Sequence, residues 1–347
     1  MSPLDGPVKE LDEKFIEIIG KFVSDIKNGK LQGSYNIAMA TVTLLEQIIN
    51  DSPNATAYEL CTTLRAVGRQ FGTALPQELV ASNMLRRVLR AVRDENRAAA
   101  NQSGEGAGES LQRLVLAAPS RRATFGPEHQ DLREPLRDHI AELRAELEST
   151  ESALCAQARE HVRAELVLAC GAGALLERFL RYSVCHGRVQ AVRTFQTHAM
   201  ASRLSAGGVS VTVVPAASVY ALMSRVNKVV VSVVAALGGG GALADAGLLA
   251  VTSAAKYHNV PVLSLAPLYK LSPLHSCEPA LFIRRASRRV TSRRCGGTDG
   301  LARVVSPRYD AVPPDHITLF ITNLGGSSPS YMYRLLSELY DPKDYHL

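Results

Sequence analysis

A thiol and two glycines stand together in C-G-A-G-A-L-L-E, Cys170 to Glu177, where a short apolar run gives way to a helical pattern. Glycines at a strand-to-helix turn let backbone N–H groups approach an anion at a helix N-terminus, so phosphate binding is the chemistry such a turn offers. The full G-x-G-x-x-G is missing, and no acidic residue follows near the end of the next strand to hold a ribose. Between Glu177 and Asp245 there is neither Asp nor Glu. That interval covers the strand ends where an open α/β sheet places its ligand. The central sheet therefore supplies no carboxylate for acid–base work or an oxygen-rich metal site, although carboxylates from other segments could reach in. Tight strand-to-helix packing, not dinucleotide binding, is the expected role of these glycines.

Other candidates are weaker. No G-x-S-x-G occurs, and Gly207-Gly208-Val209-Ser210 lies at a strand start, the wrong place for a nucleophile elbow. Gly238–Gly241 follows the apolar run Lys228–Val234 and could cradle a phosphate through its amides. No Lys-Ser or Lys-Thr follows it, so it is no P-loop, and a flexible βα connection is expected. His186, His198 and His258 share no metal-ligand spacing, and the cysteines at 61, 155, 170, 185, 277 and 295 form no C-x-x-C pair. Neither a metal, a cofactor nor a disulfide framework is expected. Arg284, Arg285, Arg288, Arg289, Arg293 and Arg294 crowd the segment from Ile283 to Arg294 without interleaved aromatics. They suit phosphates, as in RNA, or an acidic protein face. A solvated loop with at most weak, sequence-independent RNA binding is the expectation.

The elements that must position these residues fall into two patterns. With 46% hydrophobic residues and a formal net charge of +6, the chain is globular and mildly basic, which favours an acidic partner. The longest apolar runs are too short to span a bilayer, and the amino-terminal residues carry no secretory pattern. A cytosolic protein without membrane contact is expected. Residues 1–130 read as a helical domain, with Phe15, Ile16, Ile18, Ile19, Phe22, Val23 and Ile26 at helical spacing in one helix and Val80, Met84, Leu85, Val88, Leu89 and Val92 on one face of another. A flexible loop occupies about 101–130. A long, charge-alternating helix joins the domains over 131–162. From 163 to 347, Val- and Ile-rich runs alternate with helix-length segments, which predicts a Rossmann-like α/β domain with a mostly parallel sheet. An arginine-rich excursion at 276–310 breaks the rhythm. The end of the chain reads as a buried strand, a turn at Gly325-Gly326, and a helix opened by Ser328-Pro329.

Several of these segments together resemble the alpha/beta/delta regulatory subunit family of eukaryotic translation initiation factor 2B. The likeness rests on S-N-M-L-R-R-V-L-R at Ser82–Arg90, M-S-R-V-N-K-V from Met223, A-A-K-Y-H at Ala254–His258, A-P-L-Y-K-L-S-P at Ala266–Pro273 and P-S-Y-M-Y-R-L-L-S-E-L-Y from Pro329. Gln196, His198, Met200 and Ala201 stand where the beta branch has Q-G-H-x-M-A. The turn after the first strand, the glycine run and the arginine excursion depart from the family pattern. Related isomerases act on methylthioribose-1-phosphate or ribose-1,5-bisphosphate through a cysteine after the first strand and an aspartate after the fourth. Cys170 stands in the cysteine register, but Val234 takes the aspartate's place. The resemblance therefore implies a non-catalytic subunit of a guanine nucleotide exchange factor, not an isomerase. It implies alpha, delta, gamma and epsilon subunits as partners, together with initiation factor 2 through its alpha subunit, whose phosphorylation the complex reads. It further implies partner contacts at Arg133 and Arg137, at Gln196 and His198, and at Arg225 and Asn227.

Overall fold

The computed structural model describes residues 13–52, 55–76, 78–102, 133–162, 166–171, 173–183, 188–192, 197–275, 308–345 and 347. The chain divides into two compact units, Met1–Glu148 with Leu339–Leu347, and Ser149–Glu338. These are drawn differently from the sequence domains: the carboxyl-terminal residues group with the helical unit, and the long helix is shared out at Glu148.

In the helical unit, α1 (Glu13–Lys27) buries Phe15, Ile19 and Phe22 at helical spacing. It stops at Asn28-Gly29, where Gly29 adopts φ 71°. α2 (Ser34–Asn50) and α3 (Ala57–Ala74) follow. Thr56 opens α3 with a capping box: its hydroxyl accepts from the Glu59 amide, and the Glu59 carboxylate accepts from the Thr56 amide. Such a cap stabilises a helix by about 1 kcal/mol. α4 (Leu79–Gln102) buries the six apolar residues its periodicity selects, from Val80 to Val92. α5 (Arg133–His161) is the predicted long helix.

The second unit contains a seven-stranded sheet. Its strands are β1 (Leu166–Cys170), β2 (Arg188–Val192), β3 (Ser210–Val214), β4 (Lys228–Ser232), β7 (Val262–Leu265), β10 (Leu319–Thr322) and β11 (Gly325–Ser327), in the order β11-β10-β7-β4-β1-β2-β3. All neighbours are parallel except β10 and β11. One face carries Val167, Ala169, Val230, Leu263, Leu265 and Ile321. Onto it pack Leu154, Ala158 and Val162 of the end of α5 and its exit, Phe179 and Leu180 of α6 (Ala174–Ser183), and Met200 and Leu204 of α7 (Thr197–Ala206). Register decides which residues share a face: Cys170, Val231, Ser264 and Phe320 lie side by side across four strands, so they point to the opposite face. The chain also forms the short α8 (Val219–Met223), with Val219 and Met223 buried and Tyr220 exposed, and α9 (Leu248–Tyr257).

Three sequence expectations are corrected. Gly238–Gly241 is not a flexible βα connection but the turn of a hairpin between β5 (Ala235–Leu237) and β6 (Ala242–Asp245). With β8 (Leu271–Ser272) and β9 (Tyr309–Val312) these make a second sheet, ordered β8-β5-β6-β9. Gly240 has φ 78°, and a Cβ there would lie 2.5 Å from the Pro329 carbonyl oxygen, so the glycine serves close packing. The final residues of the excursion are strand β9, while Arg284 to Arg294 lie outside the described residues. Gly325-Gly326 belongs to β11; the turn is Asn323-Leu324, held by the Thr322 hydroxyl, which accepts from the Leu324 amide and donates to the Gly325 carbonyl. A 3-10 turn at Pro329–Tyr331 then leads into α10 (Met332–Leu339).

Candidate functional site

From β1 the chain winds outward through β2 and β3, and from β4 it winds the other way through β7 and β10. The reversal makes a switch point between β1 and β4, and ligands of such sheets bind beyond the carboxyl ends of the strands there. Cys170 is the last residue of β1 and Ser232 the last of β4. Between them Gly171, at φ 107°, approaches Ser232 so closely that a Cβ would sit 3.3 Å from its carbonyl oxygen. The turn leaving β1 thus passes so close to the end of β4 that it has no room for a side chain at position 171.

The thiol at this edge is held in its neutral form. Cys170 is buried, and burial pushes its thiol up to about 12; the charge of Asp245 pushes the same way and a hydrogen bond involving the Gly171 backbone opposes it. A thiol of that pKa is fully protonated near neutrality and is no nucleophile. Val234 donates its backbone N–H to Leu243 at the foot of the hairpin, so position 234 presents only an apolar side chain. Lys270, missed in the sequence, lies buried with Nζ donating to the Val233 carbonyl at 2.7 Å. Burial pulls its ammonium down to about 8, against the attraction of Asp245. Burial also raises Asp245, opposed by Arg308 and Lys270. Carboxylates from other segments therefore do reach this edge, from β6 and β9. The Asp310 carboxylate, however, is engaged as a cap, accepting from the Gly247 and Leu249 amides at the start of α9 at 2.7 and 3.1 Å. A lone cation within the apolar run A-P-L-Y-K-L-S-P was the signal for Lys270. Asp245 carried none, because its neighbours come from distant segments.

The expected partner-binding residues are not brought together. His198, exposed near the start of α7, belongs to the carboxyl edge of the sheet. Arg225 and Asn227, also exposed, precede β4 at the opposite edge. Asn227 serves the fold: its Oδ1 accepts from the Leu166 amide and its own amide donates to the Leu166 carbonyl, fastening the start of β1. Gln196 lies outside the described residues. Arg133 and Arg137 open α5 one turn apart, and Arg137 donates twice to the Asn50 side-chain oxygen, at 3.0 and 2.9 Å, while staying exposed. A cavity of about 420 Å³ between α6 and α7 has Arg178, Arg181 and Arg203 in its wall. Their charges are met by Glu177 and Glu151. Among the described residues no three His, Cys, Asp or Glu side chains cluster to hold a metal, and no helix is long and apolar enough to cross a membrane.

A doubly wound sheet whose first strand ends on a buried cysteine, with valine at position 234, defines a class: an α/β protein of the switch-point type. The chain belongs to the Initiation factor 2 subunit family, which it matches over residues 30–329, and within it to the eIF2B beta type. It is 30% identical to translation initiation factor eIF2B subunit beta of Schizosaccharomyces pombe, over 94% of this chain and 96% of the relative. The Dictyostelium discoideum protein of the same name is 28% identical, over 93% and 95%. By contrast, ribose 1,5-bisphosphate isomerase of Archaeoglobus fulgidus matches only 44% of the chain and 50% of its own length, at 26% identity. The fold is that of crystalline eIF2B beta from Chaetomium thermophilum, with a TM-score of 0.74, 24% identity and coverage of 96% and 94% of the two chains. The chain is a regulatory subunit and not an enzyme.

Proposed function

We propose that this chain supports guanine nucleotide exchange on initiation factor 2 from within a hetero-oligomeric complex of alpha, beta, gamma, delta and epsilon subunits in the cytosol. In this reading it helps the complex respond to phosphorylation of the factor's alpha subunit. The reading is carried by the match to eIF2B beta subunits along nearly the whole chain. Assembly is further supported by the fold shared with the tetrameric beta2-delta2 complex of C. thermophilum, at TM-score 0.69, 22% identity and coverage of 95% and 96%.

Arg133 and Arg137 are our candidates for contact with the alpha subunit of initiation factor 2. Lying one helical turn apart, they share a face, and guanidinium groups suit an acidic or phosphorylated surface. His198 and Gln196 on one side, and Arg225 and Asn227 on the other, are candidates for separate subunit contacts. The reading is tested by reconstituting exchange with this chain present or absent. Loss of exchange, or of its sensitivity to phosphorylated factor, is the expected effect of omission. Unchanged exchange and unchanged sensitivity would overturn it.

A further inference from the structure

The helical unit is closed by residues from the far end of the chain. Asp344 is completely buried, and its Oδ1 accepts from Arg65 Nε and Nη2 at 3.1 and 2.8 Å and from Arg93 Nη2 at 2.8 Å. Arg86 grips main chain instead, donating to the carbonyls of Asp344 and Tyr345 at 3.1 and 3.2 Å. Asp341 adds a second carboxylate, 3.2 Å from Arg93 Nη1 and 3.4 Å from Arg97 Nη2. Arg86 and Arg93 lie seven positions apart on α4 and are each only 4% exposed. Leu347 packs so tightly over Gly68 that a Cβ there would meet it at 3.1 Å.

Charge, main-chain contacts and a glycine notch together have the features of a peptide-binding groove. We infer that the helical unit carries an arginine-lined receptor whose ligand is the chain's own acidic carboxyl-terminal segment, Leu339–Leu347. The helical unit is complete only when that segment docks. Without it, Arg86 and Arg93 are buried cations lacking their main partners, a state that costs far more than a lost surface ion pair. A chain lacking these residues fails in the helical unit even though α1 to α5 are all encoded upstream. The inference does not depend on the regulatory function proposed above.

Hydrogen exchange on the full-length chain, read at the amides of α3 and α4, tests this. Asp344→Asn is expected to reduce protection there by about 10²–10³-fold. In an Arg93→Met background the same change is expected to reduce it less than about tenfold, because the pair is already broken. Equal effects in both backgrounds, or protection unaffected by Asp344→Asn, would overturn the inference. A second arm uses full-length Asp344→Lys, whose own tail is repelled by the cage, with a synthetic peptide of residues 339–347. The peptide is expected to restore protection in α3 and α4, and a peptide carrying Asn at position 344 is not. Failure of the native peptide to restore it, while the α/β unit stays protected, would contradict the receptor reading. If Asp344→Lys does not fold, the Asn and Met pair decides alone.

Discussion

Replacing Lys270 by Met should make the stability of the α/β unit respond differently to alkaline pH. The Lys270 ammonium is enclosed by protein, and burial lowers its pKa from 10.5 to about 8. That interval, at about 1.4 kcal/mol per pH unit, corresponds to roughly 3 kcal/mol. Between pH 8 and 10.5 the unfolded chain holds this proton and the folded chain does not, so this residue makes stability rise with pH. The penalty for the buried charge is fully present below pH 8 and gone above 10.5. Buried thiols work in the opposite sense. Cys61 is raised to about 11 and Cys170 to about 12, so their contribution is lost as pH rises above the ordinary thiol value. The wild-type curve alone is therefore not diagnostic, but its difference from Lys270→Met is. Methionine removes the charge and also the hydrogen bond to the Val233 carbonyl, a loss of about 1 kcal/mol. Near neutral pH the variant should thus match the wild type or exceed it by up to about 2 kcal/mol. The wild type should gain roughly 3 kcal/mol on it by about pH 10.5. Urea unfolding followed by circular dichroism across this range measures the difference. Two curves that run parallel would show that Lys270 titrates as a solvated lysine does and is not enclosed.

No turnover is expected on methylthioribose-1-phosphate or ribose-1,5-bisphosphate, and Cys170 should react with a thiol reagent far more slowly than a free cysteine; turnover abolished by Cys170→Ala would refute the non-catalytic reading. Gly240→Ala should destabilise by about 3 kcal/mol or more, since φ is 78° and the new Cβ would stand 2.5 Å from Pro329 O. Gly208→Ala, at φ 85° but with no atom within 4 Å, should lose only about 1 kcal/mol, and equal midpoint shifts would refute the clash. Joint Arg133→Glu and Arg137→Glu should leave assembly intact while reducing exchange or its response to phosphorylation in a reconstituted assay; no change in either would dismiss these two residues as a contact.

Periodicity made most of the fold legible. Val80 to Val92 repeat at helical spacing, and the β1, β4 and β7 runs are mostly apolar, without strict alternation, because parallel strands are covered on both faces. The second sheet was hidden because its strands are two to four residues long and joined through a glycine turn that also suits a loop. The absence of carboxylates between Glu177 and Asp245 was legible, and so was Val234. What local pattern could not reveal was convergence from distant segments. Asp245 and Lys270 meet through the second sheet, and Asp344 finds Arg65 and Arg93 some 250 or more positions away. Such pairs leave no spacing in the sequence.

The central claim, a subunit that works by assembly, is tested most directly by purifying the tagged chain from its own cells at native abundance and determining what accompanies it and in what ratio. A stable complex is expected, containing the delta subunit together with alpha, gamma and epsilon, and able to exchange nucleotide on initiation factor 2. A monodisperse monomer without those partners, most of all one that converts a pentose phosphate, would contradict it.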